Sequence, residues 1–167
     1  MFKNMSYKTR ILIVGVIAIV FFILSPSEDE KKEIEKTKME QLANDVKKIP
    51  ALNVTENLEA YKKLHNYYKK NEEYKNKFEK YKQLDTISTY CLSQSIEINK
   101  KFLKNPNSYD NEKYKYGKWT NEKTFIVSWE FTGKNAFNVD YKFNSEYECN
   151  IKADGSAIIK QTFLNQI

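Results

Sequence analysis

The hydrophobic pattern of the chain begins with an uninterrupted apolar run from Ile11 to Leu24. Lys3, Lys8 and Arg10 precede this run, and the first charged residues after it are acidic, beginning at Glu28. A helix needs about 20 residues to cross a hydrocarbon core, and basic side chains at its end can reach back toward the lipid headgroups. Because the end richer in Lys and Arg stays in the cytoplasm, the pattern predicts a single-pass anchor with the amino terminus inside.

Two other interpretations of this run remain open. It is short enough to be the core of a cleaved signal peptide, although no Ala-x-Ala site follows it and Pro26 would stand just beyond a cut after Ser25. A buried helix of a soluble domain is the second alternative, but such a helix rarely lacks a polar face over its whole length. We therefore predict that residues 1–27 are an uncleaved tail and transmembrane anchor in the cytoplasmic (inner) membrane, with the rest of the chain extracytoplasmic.

Helical periodicity follows the anchor. Ser25 and Ser27 form overlapping capping boxes with Glu28 and Glu30, which predicts a helix start. Over residues 28–50 apolar side chains recur every three or four positions on an otherwise charged helix, as expected for a stalk or a short coiled-coil seam. These positions are Met39, Leu42, Val46 and Ile49.

Residues 51–84 predict two short amphipathic helices that meet at Lys70 and Asn71 and form an antiparallel hairpin. Asn53 or Thr55 is the predicted cap of the first helix. The string IPALNVTENLEAYKKLHNYYKKNEEYKNKFEKY resembles a segment of bacterial and phage-borne membrane or exported proteins. That resemblance implies a helix pair similar to one tetratricopeptide repeat. Because a solenoid needs at least three repeats, we interpret the pair as a packing or spacer hairpin, with a peptide-docking groove as the alternative.

Residues 85–167 predict a small α+β domain in which one helix packs on a four-stranded antiparallel meander. The helix is expected to start at a cap formed by Asp85 or Thr86 and to end before residues 105–108, where Pro and Asn interrupt the pattern. After that break the apolar period changes to two. An Asp-Gly pair at residues 154–155 predicts the last hairpin turn.

The alternation within the strands assigns side chains to faces. Tyr114, Tyr116 and Trp119 are predicted to point to one side of the first strand, and the second strand is predicted to be buried in part on both faces. Odd-numbered apolar residues from position 139 to 151 predict the buried face of the third strand. Glu146 and Glu148 then belong to its solvent face.

Cys91 and Cys149 are the only cysteines of the chain. In an oxidising, extracytoplasmic compartment an even count predicts a disulfide, and here it would join the helix to the inner face of the third strand. A metal site and a reactive thiol are the competing interpretations. The single histidine, His65, lies far away in the sequence and supplies neither a ligand set nor a marked general base. We therefore predict a structural disulfide, with no metal and no cofactor.

Residues 91–155 also resemble a small bacterial domain of unknown function. That domain combines a cysteine-bearing helix and a Leu-Lys-x-Pro-x-Ser turn with an Asn-x-Phe-Gly strand motif and a closing cysteine followed by Asp-Gly. The matching residues here are Cys91, Leu103, Lys104, Pro106, Ser108, Asn135, Phe137, Cys149, Asp154 and Gly155. Asn138 replaces the usual glycine, and asparagine tolerates positive φ better than most residues. The resemblance implies a fold and a disulfide, and it brings no catalytic residue.

The charge distribution and the motifs of the chain limit the classes of function that we predict. The formal net charge is +6, but residues 1–27 hold three bases and no acids, whereas residues 85–167 hold eleven bases and ten acids. This balance makes nucleic acid an unlikely ligand, and the tyrosines and lysines of residues 61–82 have the helical spacing of a packed face. The sequence contains no recognisable Ser/His/Asp set, phosphate-binding glycine loop or metal-ligand spacing, so we do not predict an enzyme.

We interpret the chain as a membrane-anchored extracytoplasmic binding or assembly protein with a protein partner. Trp119, Phe137 and Tyr141 are the candidate contacts if they are exposed, although core packing is the more ordinary role for each. One alternative is an envelope hydrolase or a modulator of one, and another is a cleaved, secreted effector.

Overall fold

The computed structural model describes residues 26–134 and 139–167, except for the side chains of residues 111–113. Several predicted positions lie outside these ranges: the anchor limits Ile11 and Leu24, the topology charges Lys3, Lys8 and Arg10, and the candidate contact Phe137. Within the described ranges, no helix has the length and apolar character needed to cross a bilayer.

The first described helix, α1, spans Glu28–Asp45 and continues into a 3₁₀ turn at Val46–Lys48. The capping box of Ser27 and Glu30 is formed: the Ser27 N–H donates to the Glu30 carboxylate at 2.7 Å, and the Glu30 N–H donates to Ser27 Oγ at 3.2 Å. No residue of α1 is buried. The predicted helix is confirmed, but its α-helical part ends at Asp45 rather than at Pro50, and its role as a stalk remains a prediction.

The remaining elements belong to one compact unit, residues 45–167, which begins with the predicted helix hairpin. Helix α2 spans Val54–Tyr67 and α3 spans Glu72–Phe102. The side chains of Asn53 and Asn71 cap the two helices, because each amide oxygen accepts the backbone N–H of the residue three positions further on.

Helix α3 is longer than predicted. The expected separate helix starting at Asp85 or Thr86 is wrong, because α3 runs through both residues and is 31 residues long. Thr86 Oγ1 donates to the carbonyl of Lys82 at 2.9 Å, and Ser88 Oγ donates to that of Asp85 at 2.9 Å. Polar side chains that could have capped a new helix instead bond back into the existing one. The described residues therefore contain three α-helices.

Four strands follow in the order of the chain: β1 is Asp110–Asn121, β2 is Thr124–Lys134, β3 is Asp140–Ile151 and β4 is Ala157–Gln166. Each strand pairs antiparallel with the next, so the α+β fold and the four-stranded meander are confirmed. Gly155 has a φ of 81° in the last turn, a conformation that glycine adopts without steric cost.

Helix α3 covers one face of this sheet. The buried residues of α3 that face β2 and β3 recur every four positions. The buried residues of β2 and β3 alternate along each strand, as the sequence predicted for β3. On α3 these are Ile87, Cys91, Ser95 and Asn99; on β2 they are Phe125, Val127, Trp129 and Phe131; on β3 they are Phe143, Ser145, Tyr147 and Cys149. Ser128 is also buried, so β2 is covered in part on its second face.

Tyr114, Tyr116 and Trp119 do not share one face of β1, which corrects the prediction. The pairing of β1 with β2 shifts by one residue between Tyr114 and Tyr116, and this extra residue is a β-bulge. Tyr116 consequently points to the outer face, where its hydroxyl donates to Glu146 at 2.5 Å. Tyr114 and Trp119 point toward α3, with their rings 5.0 and 5.3 Å from inward-facing rings of β2.

Candidate functional site

The predicted disulfide is formed and joins α3 to β3. Cys91 and Cys149 are both fully buried, their Cα atoms are 6.2 Å apart, and the bond closes a loop of 58 residues. Within the described part of the chain, no group of three or more His, Cys, Asp and Glu side chains is placed to hold a metal ion. The two sulfurs are thus a structural link between helix and sheet.

Two buried hydrogen bonds extend this link along α3. The indole N–H of Trp129 donates to Ser95 Oγ at 2.7 Å, and the hydroxyl of Tyr147 donates to Asn99 Oδ1 at 2.6 Å. Burial raises the pKa of Tyr147 to about 12, so this hydroxyl keeps its proton at neutral pH. Sequence reasoning missed Ser95 and Asn99. Their four-residue spacing from Cys91 was the signal that placed them on the sheet-facing side.

A cleft of about 390 Å³ opens where α3 passes from the sheet to α2. The first turn of α2 and the loop before it form one wall, α3 forms the second, and β1 with the start of β2 forms the floor. This volume is within the range of about 300–1,000 Å³ that is typical of binding sites for small molecules and side chains.

The floor of the cleft is aromatic. The ring centroids of Trp119 and Phe125 are 5.3 Å apart, and these side chains are 8% and 4% exposed. Tyr114 lies at the rim and is 46% exposed. Burial of its ring raises the pKa of the Tyr114 phenol, so it is a neutral donor and acceptor at physiological pH. A Cβ at Gly117 would overlap both the Tyr114 hydroxyl and the Phe125 ring, so this position requires glycine while Tyr114 lies there.

The α3 wall is polar and carries one carboxylate. Asp85, Ser88 and Thr89 lie within little more than one turn of the helix. The Ser88 hydroxyl proton is engaged by the carbonyl of Asp85. The half-buried Asp85 carboxylate has no lysine, arginine or histidine nitrogen within 4 Å among the described residues. The cleft therefore combines an aromatic floor with a polar side wall that carries one carboxylate.

The candidate contacts named from the sequence are not brought together. Trp119 lies in the cleft floor and is almost fully buried, so it does not protrude toward a partner. Tyr141 is half-buried and lines a second groove of about 440 Å³, near Phe102 and the far end of β2. Pairing of Tyr141 with Gly133 places this groove at the opposite end of the sheet from Trp119. Only the Trp119 end contains a carboxylate among its described lining residues.

In comparisons with protein-family models, with curated proteins and with solved structures, nothing matches this chain. The resemblances noted for residues 91–155 and for the helix hairpin therefore stay expectations. The cleft residues themselves are the basis for inferring a function.

Proposed function

We propose that the chain is a membrane-anchored, extracytoplasmic binding protein that receives a segment of a partner protein in the cleft above Trp119 and Phe125. The observation that carries this proposal is the cleft itself, which combines an aromatic floor with hydroxyl and carboxylate groups on one wall. Sites of this composition supply apolar contact area together with a few polar groups that orient the bound segment.

Two features support the location. The buried Cys91–Cys149 disulfide is typical of proteins that fold in an oxidising compartment, because cytosolic thiols are kept reduced. The apolar run from Ile11 to Leu24, with basic residues before it and acidic residues after it, favours an anchor whose carboxyl-terminal side faces outward. Together they favour an envelope protein over a cytosolic one.

The attachment of the floor to the fold supports a binding role for the cleft. Trp119 and Phe125 lie on paired positions of β1 and β2, and the residue opposite Phe125 on β3 is the bonded Cys149. The disulfide to α3 therefore fixes the floor and the α3 wall relative to each other. A preformed site of this kind spends little conformational entropy when a partner binds.

Photo-crosslinking of the full chain in cells tests the proposal. Thr89 is exposed on the cleft wall, whereas Glu59 is exposed on α2 and does not line the cleft. We expect a photoreactive phenylalanine derivative at position 89 to give a discrete protein adduct that the same group at position 59 does not give. Without protease the adduct should be recovered in the membrane fraction, and protease added to spheroplasts, whose outer membrane is opened, should digest it.

A matched pair of variants shows whether the cleft is responsible. Ser88 and Ser93 both lie on α3 and both donate to the carbonyl three residues earlier, at 2.9 and 2.8 Å. Ser88→Phe fills the cleft, whereas Ser93→Phe adds the same ring outside it. The adduct should disappear in Ser88→Phe and persist in Ser93→Phe. An adduct that survives Ser88→Phe, or a chain that resists protease added to spheroplasts, contradicts the proposal.

A further inference from the structure

We propose that the cleft selects a cationic side chain, lysine or arginine, of its partner protein, with the Asp85 carboxylate as the counter-ion. This inference rests on the proposed binding function and adds the chemistry of the bound group. It starts from the Asp85 carboxylate, which lines a partly enclosed site and has no lysine, arginine or histidine nitrogen within 4 Å among the described residues.

The neighbouring lysines are engaged elsewhere. Lys118 contributes to the cleft lining, but its ammonium lies 5.2 Å from the ring centroid of Tyr116, which points to the outer face of the sheet. Lys82, one turn before Asp85, pairs with Glu79 at 3.8 Å. Asp85 is therefore the dominant charge facing the cleft from its α3 wall, and its sign favours a cation.

The amino-terminal end of α2 on the opposite wall does not reverse this sign. A helix N-terminus attracts anions, but here it already has acceptors of its own. Asn53 Oδ1 accepts the N–H of Glu56, and Asn53 Nδ2 donates to the Glu56 carboxylate at 2.5 Å. The Glu56 carboxylate thus offsets the positive end of the helix dipole and, unlike Asp85, does not line the cleft.

The aromatic floor suits a long basic side chain better than a small inorganic cation. The methylenes of lysine or arginine can pack on Trp119 and Phe125 while the charged end reaches Asp85. An aromatic face also attracts a cation directly, and tryptophan does so most strongly. A metal ion would require several ligands, and the described lining has a single carboxylate.

Peptide titration of the full-length, ¹⁵N-labelled chain in detergent micelles tests the inference. The probes are acetyl-Gly-Arg-Gly-amide and the same peptide with citrulline, which keeps the shape of arginine and lacks its charge. The chain has two tryptophans, so its indole N–H signals report the cleft (Trp119) and an internal reference (Trp129, bonded to Ser95). We expect saturable shifts of the Trp119 signal only, with the arginine peptide binding about fivefold more tightly at low salt.

Substitution of the carboxylate separates charge selection from binding as such. In Asp85→Asn the arginine and citrulline peptides should bind about equally. Glu59→Gln removes the same charge outside the cleft and should leave the preference for the arginine peptide intact. An unchanged Trp129 signal shows that the variant is folded. Equal binding of both peptides to the unmodified chain overturns the cationic selection and leaves the binding function standing. Absence of any saturable shift of the Trp119 signal also overturns the proposal that the cleft selects a cationic side chain. The crosslinking experiment at position 89 then tests the binding function separately.

Discussion

The two halves of α3 are attached to the rest of the unit in different ways. Its first half, residues 74–81, packs against α2 through apolar contacts that include aromatic rings: Tyr61 lies 5.6 Å from Tyr81 and 6.4 Å from Tyr74, measured between ring centroids. Its second half, residues 91–99, is attached to the sheet by a disulfide and two buried hydrogen bonds. Ring contacts tolerate small displacements, whereas covalent and hydrogen bonds fix both distance and direction.

This difference explains the position of the cleft. Residues 85–92 form its α3 wall and connect the two halves of the helix. The wall and the floor are therefore fixed by the sheet half, while the opposite wall on α2 is held by the more adaptable ring contacts. We expect substitutions in the hairpin to change the width of the cleft. Substitutions in the sheet half should instead disrupt the cleft.

Of the changes considered, removal of the disulfide is expected to lower the stability of the sheet half most. In the chain-entropy model, closing a loop of 58 residues is worth about 4 kcal/mol of the free energy of unfolding. A variant with Cys91→Ala and Cys149→Ala should lose about that amount in urea titrations. Amide hydrogen exchange should accelerate more in residues 87–99 and β3 than in α2.

Reductant provides the control for this experiment. Unfolding of the unmodified chain should shift toward the midpoint of the double variant when reductant is present, and the double variant itself should not respond. A loss below about 1 kcal/mol, or acceleration of exchange that is greatest in α2, would contradict the assignment of the disulfide to the sheet half.

Truncation of Leu64 tests the other half of the helix. Leu64 is fully buried on α2, so Leu64→Ala leaves a cavity in the hairpin and should cost about 3 kcal/mol of the free energy of unfolding. Glu59→Ala, at an exposed position of the same helix, should change this free energy by less than about 0.5 kcal/mol. If Leu64→Ala accelerates exchange equally in α2 and β3, the two halves are one cooperative unit and the distinction fails.

Most of the fold could be predicted from the sequence because the hydrophobic periodicity of its helices and strands continues over whole elements. Strict alternation along β3 identified the buried face that carries Tyr147 and Cys149. Asn53 was one of two candidate caps for the first hairpin helix, and the second helix was predicted to begin at Asn71. Apolar side chains favour the buried face of a strand, and asparagine favours the N-cap position of a helix, so these features follow from local sequence. The disulfide was predicted from compartment and count, and its two ends had the required positions on helix and strand.

The missed features depend on contacts that are distant in the sequence. The bulge beside Tyr116 reverses the alternation of β1, and no local signal distinguishes it from a regular strand. Asp85 and Thr86 suit either a cap or the interior of a helix, because side chains of this kind can also bond back to an earlier carbonyl. The cleft requires the packing of three separate segments, so only the buried aromatic character of Trp119 was available from the sequence.

High pH should lower the free energy of unfolding most strongly through Tyr147 in the sheet half, since burial raises its pKa to about 12 and also raises, in the hairpin, the pKa values of Tyr61, Tyr74 and Tyr81. The pKa of Tyr147 in the folded chain is about 12, whereas an exposed tyrosine has a pKa near 10. Below about pH 10 the hydroxyl is protonated in both states, and the stabilisation is fully present. Between about pH 10 and 12 Tyr147 ionises first in the unfolded chain, so its contribution to stability falls by about 2–3 kcal/mol. Urea titrations at a series of pH values measure this fall.

Tyr147→Phe isolates this contribution, although it also removes the hydrogen bond to Asn99 and therefore lowers stability at every pH. The informative quantity is the slope of unfolding free energy against pH, which should be shallower in the variant by about 1.4 kcal/mol per pH unit between pH 10 and 12. Ser95→Ala removes the other buried hydrogen bond of the sheet half without removing a phenol, so it should lower stability and leave the slope unchanged. Equal slopes for the unmodified chain and Tyr147→Phe would mean that the hydroxyl ionises as readily in the folded chain as in the unfolded one. The contact between α3 and β3 would then be open to water, and the sheet half would be no more tightly specified than the hairpin.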